Sequence, residues 1–237
     1  MVQRTFVLVH GAWSGSATWT PLAETLRSHG HRVFTPSLTG LGERRHLFSG
    51  AVNLSTHIQD VIGVVESEEL TDFVLVGHSY GGMVITGVAD RLASHISHIV
   101  YLDAFLPENG TSGFDFIGED GALANLRGAG AQGGLGVPPV PRDPSRIPAQ
   151  YRFYLERRGP QPLATLTEKL ALTGAHARIA KHLYVLCTVD QPTIFTKAYE
   201  RVKNDPAWAT ETMPCGHILQ LEMLERLAEI LTDFVAR

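Results

Sequence analysis

Short runs of apolar, often β-branched residues recur along the chain and predict the strands of a sheet. They cover Thr5 to Val9, Arg32 to Thr35, Asp72 to Val76, His98 to Leu102, His182 to Thr188 and, more weakly, Ala209 to Met213. Apolar residues follow one another in these runs instead of alternating with polar ones, which is typical of strands buried on both faces of a parallel sheet. The pattern therefore predicts a mostly parallel sheet of about six strands.

Segments with helical periodicity fill the gaps between the runs. Trp19 to His29 ends before Gly30, Ser55 is placed to cap a helix over Thr56 to Leu70, and Tyr80 to Leu92 follows the third run. The last segment carries one apolar stripe, formed by Leu224, Leu227, Ile230, Leu231, Phe234 and Val235. Strand and helix alternate, which predicts an α/β fold with right-handed crossovers and helices on both sides of the sheet.

The stretch from Pro107 to about Lys181 interrupts this alternation. Its first half, "GEDGALANLRGAGAQGGLGVPPVPRDPSRIP", is dense in glycine and proline and contains no strong strand. Because a structureless loop of that length is uncommon in a compact domain, we predict a cap insertion over residues 107–181. Helices are expected near Ala149 to Glu156 and Leu163 to Leu172. Residues 1–106 and 182–237 would form the core domain around it.

Composition and charge narrow the classes of function. The 237 residues are 44% hydrophobic and 19% charged, with a net charge of -4 and no run of lysine or arginine, so nucleic acid is not an expected partner. No apolar run approaches the roughly 18 residues of a membrane span, and the chain enters its first strand directly, so we expect a cytoplasmic protein. Cys187 and Cys215 lack metal-ligand spacing and are expected to be reduced. A homodimer is compatible with the sequence.

A serine stands between two glycines where the third predicted strand meets a helix. Gly77-His78-Ser79-Tyr80-Gly81 matches G-x-S-x-G. A sharp strand-to-helix turn at this point would leave no room for side chains two residues to either side of the serine. The context predicts that Ser79 is a nucleophile, whereas the bare motif alone would also fit a helix-capping serine in a glycine-rich turn.

A serine nucleophile needs a base and an acid that orients the base. His217 lies in "MPCGHILQ", between the last strand and the last helix, and is the predicted base. Asp190 follows the strong strand that ends near Thr188 and is the predicted acid, because the acid usually comes from the strand before the one that leads to the histidine. Asp103, at the end of "HIVYLD", is the competing candidate.

The oxyanion that forms in acyl transfer needs two backbone donors. The N–H of Tyr80, directly after the nucleophile, is the first predicted donor, and the N–H of Ala12 in "VLVHGAWSG" is the second. Gly11 would allow the close approach of that loop, while His10 and His78 are expected to support the site without reacting. The same stretch lacks the G-x-G-x-x-G spacing of a dinucleotide site, so no cofactor and no metal is expected.

With these residues placed, the chain resembles small α/β-hydrolases of the subfamily that contains the plant methylesterases and the related hydroxynitrile lyases. The shared segments, in the same order, are "FVLVHGAW", "GHSYGGM", "AFLPENG", "YVLCTVDQP" and "CGHILQLEMLERLAEIL". The resemblance covers nearly the whole chain and is weakest in the insertion. It implies the α/β-hydrolase fold with a small helical cap, a triad of Ser79, Asp190 and His217, and an oxyanion hole at Ala12 and Tyr80.

Two positions separate the branches of this subfamily. The lyases carry a threonine in the oxyanion loop and a lysine directly after the catalytic histidine, where this chain has Gly11 and Ile218. Isoleucine would hold a cyanide anion poorly, so the sequence favours hydrolysis of a small-molecule carboxylic ester through an acyl-enzyme. Activity is expected to fall as the pH drops through roughly 6 to 7, where His217 gains a proton. A lyase, an amide or thioester hydrolase and a ligand receptor with a hydrolase pocket remain as alternatives.

Overall fold

A six-stranded parallel sheet forms the centre of the computed structural model, which describes residues 3–131, 133–189 and 193–236. The described strands are β1 Thr5–Val9, β2 Arg32–Phe34, β3 Phe73–His78, β4 Ile96–Leu102, β5 Gly136–Val137, β6 Gln161–Pro162, β7 Lys181–Cys187 and β8 Trp208–Met213. The sheet has the order β2-β1-β3-β4-β7-β8 with parallel pairing throughout, and β5 and β6 form a separate antiparallel pair. The predicted fold class is confirmed.

Helices connect the strands and cover the sheet. The described α-helices are α1 Thr20–Ser28, α2 Leu54–Ser67, α3 Gly81–Leu92, α4 Gly113–Gly130, α5 Phe153–Glu156, α6 Ala164–Thr167, α7 Thr196–Val202, α8 Leu219–Glu222 and α9 Leu224–Ala236. The prediction of Ser55 as the cap of α2 is wrong, because the side chain of Asn53 accepts the N–H of Thr56 at 2.9 Å and forms a capping box. None of the helices in the described ranges is long and apolar enough to cross a membrane.

Apolar side chains fill both faces of the sheet. Along β1, Val7 and Val9 pack with α2 and α3, whereas Phe6 and Leu8 pack into the opposite cluster with α1 and α9. Each such side chain contributes about 1.5–3 kcal/mol when it leaves water. The continuous apolar runs in the sequence have this physical origin, since helices cover both faces of the central strands.

The chain between β4 and β7 folds into the long helix α4, several short helical segments and the β5–β6 pair. The expected helix at 149–156 is a 3-10 turn, Ala149–Tyr151, followed by α5, and the expected helix at 163–172 is limited to α6. The sequence analysis did not predict α4, which runs through the glycine-rich segment and bends at Gly118, where φ is 71°. Its start is fixed by Asp115, whose carboxylate accepts the N–H of Ser112 at 2.7 Å.

The two cysteines lie side by side without a disulfide bond between them. Their Sγ atoms are 3.8 Å apart, and both side chains are buried next to the strand end that leads to His217. The pair is therefore present as two thiols.

Candidate active site

Ser79 occupies a strained turn between β3 and α3. Its φ is 57°, in the left-handed region that few non-glycine residues adopt. A Cβ atom on Gly77 would lie 2.8 Å from the Gly81 carbonyl oxygen, and one on Gly81 would lie 2.6 Å from the Val9 carbonyl oxygen. Both glycines are needed because backbone fills the space on either side of the turn.

His217 lies between the serine and a carboxylate. Its Nε2 atom is 2.9 Å from Ser79 Oγ, and its Nδ1 atom is 2.6 Å from Asp103 Oδ2. An ionised carboxylate can only accept, so Nδ1 carries the hydrogen and Nε2 is left to accept the Ser79 hydroxyl proton. The structure thus joins residues 103, 79 and 217 in one hydrogen-bonded chain, although they are far apart in sequence.

The carboxylate in this chain belongs to Asp103, the competing candidate of the sequence analysis. Asp190, the predicted acid, lies outside the described residues. Asp103 follows β4 directly, is almost fully buried, and accepts the Cys187 N–H on Oδ1 at 3.1 Å. With its two oxygens bound to Cys187 and His217, Asp103 is held in the geometry of a triad acid.

Burial sets the protonation of the pair. It raises the pKa of Asp103 to about 6, against the opposing effect of the Cys187 N–H, and it lowers the pKa of His217. The Arg142 guanidinium opposes the rise in the pKa of Asp103 and adds to the fall in the pKa of His217. Above about pH 7 the pair therefore holds an ionised carboxylate and a neutral imidazole, the state that general-base catalysis requires.

The two predicted oxyanion donors meet beside Ser79. A Cβ atom on Gly11 would lie 2.9 Å from Ser79 Cβ, so glycine lets this loop approach the nucleophile. Ala12 and Tyr80 line the same cavity as Ser79 and His217. Neither backbone N–H donates a hydrogen bond to any part of the chain that the structure describes. Both are available for an incoming oxygen.

His10 and His78 are buried and neutral. Burial lowers the pKa of His10 to about 4 and that of His78 to about 3. His78 donates from Nε2 to the His217 carbonyl oxygen at 2.7 Å, while His10 donates from Nδ1 to the Gly11 carbonyl oxygen at 2.9 Å and accepts the Leu38 N–H at 3.2 Å. Each histidine thus fixes the backbone of a loop that carries a site residue.

A cavity of about 380 Å³ opens over Ser79. Most of its wall is apolar and includes Phe105, Ile117, Val140, Leu166, Ile194 and Phe195. The insertion supplies several of these side chains and also Asn125 and Arg142. The Phe195 ring stacks on the His217 imidazole, with centroids 4.9 Å apart. Sequence reasoning missed Phe195 and Arg142, because neither lies in a motif and only the folded insertion brings Arg142 to the site.

In the described ranges, no group of three or more histidine, cysteine or acidic side chains is arranged to hold a metal ion. The chemistry that the arrangement supports is nucleophilic attack by Ser79 on an electrophilic carbon, with His217 moving the proton.

Comparison with known proteins places these features in a family. A model of the alpha/beta hydrolase family matches residues 6–230. The carbendazim hydrolyzing esterase of Nocardioides sp. (strain SG-4G) is 42% identical over 240 residues, which cover 95% of this chain and 97% of that protein. Methylesterase 10 of Arabidopsis thaliana is 33% identical over 105 residues, which cover 44% of this chain and 38% of that protein. The resemblance inferred from the motifs is confirmed.

A solved structure extends the likeness over the full chain. It is an extracellular alpha/beta-hydrolase from a Paenibacillus species, described as sharing structural and functional homology with tobacco salicylic acid binding protein 2. The TM-score is 0.83 at 26% sequence identity, and the superposition covers 98% of each chain. The insertion is therefore included in the shared architecture.

Proposed function

Because the chain belongs to the alpha/beta hydrolase family, we propose that it is a serine esterase that cleaves small carboxylic esters through an acyl-enzyme. The observation that carries the proposal is the chain of contacts from Asp103 through His217 to Ser79, at 2.6 and 2.9 Å, beneath a largely apolar cavity. The 42% identical relative, which is named as an esterase, supports the same reaction class.

Acylation begins at the serine hydroxyl. His217 Nε2 takes the proton as Ser79 Oγ bonds to the ester carbonyl carbon, and the carbonyl oxygen becomes an oxyanion held by the N–H groups of Ala12 and Tyr80. Asp103 keeps the hydrogen on Nδ1 and stabilises the imidazolium that forms. When the tetrahedral adduct collapses, the bond to the alcohol oxygen breaks and that oxygen takes the proton from Nε2.

Deacylation repeats these steps with water. His217 removes a proton from a water molecule that attacks the acyl carbon, and Ser79 Oγ leaves with the proton returned from Nε2. The carboxylic acid then leaves the cavity. No cofactor is needed at any step, since every proton is carried by a residue of the chain.

The cavity limits the substrate to a compact and mainly apolar ester. In our proposal residues 107–181 act as a cap, since they contribute Ile117, Val140 and Leu166 to the wall. Ile218, directly after His217, gives the site an apolar side chain at the position where a cyanide-releasing lyase would need a cation. Hydrolysis is therefore favoured over carbon–carbon cleavage.

The test compares initial rates of the wild type and Ser79→Ala. The panel holds p-nitrophenyl esters from acetate to octanoate, methyl salicylate, carbendazim and mandelonitrile. We expect ester turnover that falls by roughly 10³- to 10⁶-fold in Ser79→Ala, with no cyanide released, and the acyl-length profile would size the cavity. Ser94→Ala, at an exposed position, is the matched control and should keep the full rate. Equal rates for wild type and Ser79→Ala on every compound would overturn the proposal.

A further inference from the structure

Trp13, directly after the proposed oxyanion donor Ala12, has a strained backbone. Its φ is 63°, although it is not glycine. This conformation is unfavourable for a residue with a bulky side chain and persists only where the surroundings impose it. Contacts around Trp13 must therefore stabilise this conformation of residues 11–13, here called the oxyanion loop.

Three hydrogen bonds hold Trp13, and all of them come from the insertion. Its backbone N–H donates to Gln161 Oε1 at 3.0 Å, its carbonyl oxygen accepts the Gly159 N–H at 3.1 Å, and its indole Nε1–H donates to the Val137 carbonyl oxygen at 2.9 Å. Every polar group of Trp13 is thus satisfied by the β5–β6 region. The oxyanion loop of the core is held by a part of the chain that lies more than 120 residues away in sequence.

Among the three partners of Trp13, Gln161 is the one that bonds through its side chain; the other two bond through their backbone. It is fully buried, and its Nε2 donates to Thr165 Oγ1 at 2.6 Å. The Thr165 hydroxyl in turn donates to the Pro162 carbonyl oxygen at 2.6 Å. The Trp13 N–H can only donate, so it needs the oxygen of the Gln161 amide. The Thr165 hydroxyl already donates to Pro162 and can therefore only accept from the amide nitrogen. The Gln161 amide has one orientation that satisfies both partners.

The hydrogen bond to Gln161 determines which backbone N–H of the oxyanion loop is available to the ester. Ala12 and Trp13 carry consecutive backbone N–H groups in a loop that lines the cavity with Ser79, and Gln161 accepts a hydrogen bond from the second of them. The peptide between Ala12 and Trp13 is fixed as a result, and the Ala12 N–H is left for the oxyanion. We propose that Gln161 is a positioning residue that keeps the oxyanion loop in its catalytic conformation, an inference that rests on the proposed esterase function.

Two substitutions separate this role from simple packing. Gln161→Met fills nearly the same volume but removes the acceptor for Trp13 N–H. Gln161→Glu keeps an oxygen at the same reach. A positioning role predicts that kcat falls about 10- to 100-fold in Gln161→Met, with KM within about threefold, and falls less in Gln161→Glu. A packing role predicts the reverse order, since a methionine fits a dry site and a carboxylate does not.

The inhibition constant of a transition-state mimic reports on the oxyanion hole and is not expected to change through loss of packing alone. A boronic acid that bonds to Ser79 Oγ places a negative oxygen in the oxyanion hole. Its inhibition constant should rise in Gln161→Met by about the same factor as kcat falls. Thermal unfolding checks that the variants are folded. Thr165→Val removes the partner of Nε2 together with the hydroxyl that donates to the Pro162 carbonyl oxygen, but it keeps the acceptor of the Trp13 N–H. It is the second variant and should lower kcat in the same direction by a smaller factor.

Amide hydrogen exchange tests the positioning without any turnover. The Trp13 N–H should exchange at least about tenfold faster in Gln161→Met than in the wild type, because its acceptor is gone. If the Trp13 N–H exchanges faster in Gln161→Met but the wild type shows no Ser79-dependent ester turnover, the positioning role of Gln161 stands and the proposed esterase function is overturned. Unchanged exchange, or a Gln161→Met variant with wild-type kcat on an ester that wild type cleaves, would overturn the role of Gln161.

Discussion

Backbone strain in this molecule is concentrated around the reacting atoms. Five non-glycine residues have a positive φ in the described chain, and three of them are Trp13, Ser79 and Asp103. Each of these three follows the carboxyl end of a different strand, β1, β3 or β4. Left-handed backbone at a bulky or charged residue is unfavourable, so its recurrence at one end of the sheet supports the assignment of the site independently of the hydrogen bonds.

The choice between the two aspartates shows what sequence order leaves open. The order of motifs favoured Asp190, because it follows the strand before His217. In the sheet, however, β4 lies directly beside β3, so Asp103 is one strand away from the nucleophile. Strand order depends on long-range pairing, and the local sequence does not encode it.

Asp103→Asn and Asp190→Asn are the substitutions that decide between these acids. Asparagine keeps the size of Asp103 but removes the charge and the preference for a hydrogen on Nδ1 of His217, so kcat should fall about 10³- to 10⁴-fold. Asp190→Asn should change kcat by less than about tenfold. Steady-state kinetics on one p-nitrophenyl ester measures both effects, and the opposite ranking would return the acid to Asp190.

Strands and helices of the core were predictable because their signals are local. The strands β1, β3, β4 and β7 are buried on two faces along most of their length, and their apolar runs follow from that alone. Helix α4 was missed because Gly113, Gly118, Gly121, Gly128 and Gly130 weaken the helical signal. Its formation depends on the Asp115 cap and on contacts with the core, which the local sequence does not display.

The segment after β5 affects the triad through charge. Arg142 lines the cavity with Ser79 and His217 and lowers the pKa of both His217 and Asp103. The active form needs an ionised Asp103 and a neutral His217, so a proton gained by either group inactivates the enzyme. With the pKa of Asp103 at about 6, kcat/KM of the wild type should fall as the pH drops through that value.

Arg142→Gln should move the acid limb of the pH profile, the fall in kcat/KM at low pH, to higher pH. The reason is that loss of the cation raises the pKa of both Asp103 and His217. The measurement is kcat/KM for one ester between about pH 5 and 9. Arg226→Gln, at an exposed ion pair with Glu229 in α9, is the control and should leave the limb in place. A limb that stays fixed or moves to lower pH in Arg142→Gln would show that the guanidinium does not act on the pair.

The whole molecule assembles its site from segments that are widely separated in the chain. Ala12, Ser79, Asp103 and His217 come from the carboxyl ends of four strands, and the insertion adds the cavity wall and the contact of Gln161 with Trp13. The serine and the histidine were predictable because each sits in a recognisable local context. Gln161 was not, since its role depends on the packing of two-residue strands that carry no periodic signal.

Covalent labelling is the measurement that tests the central claim most directly, namely that Ser79 is an activated nucleophile. The protein is incubated with a fluorophosphonate, and intact-mass and peptide analysis follow the adduct alongside ester turnover. Loss of fluoride should leave one phosphonyl group per chain on Ser79, with activity lost in proportion and no adduct in Ser79→Ala. A wild type that hydrolyses esters but stays unlabelled, or that is labelled at another residue, would contradict the account.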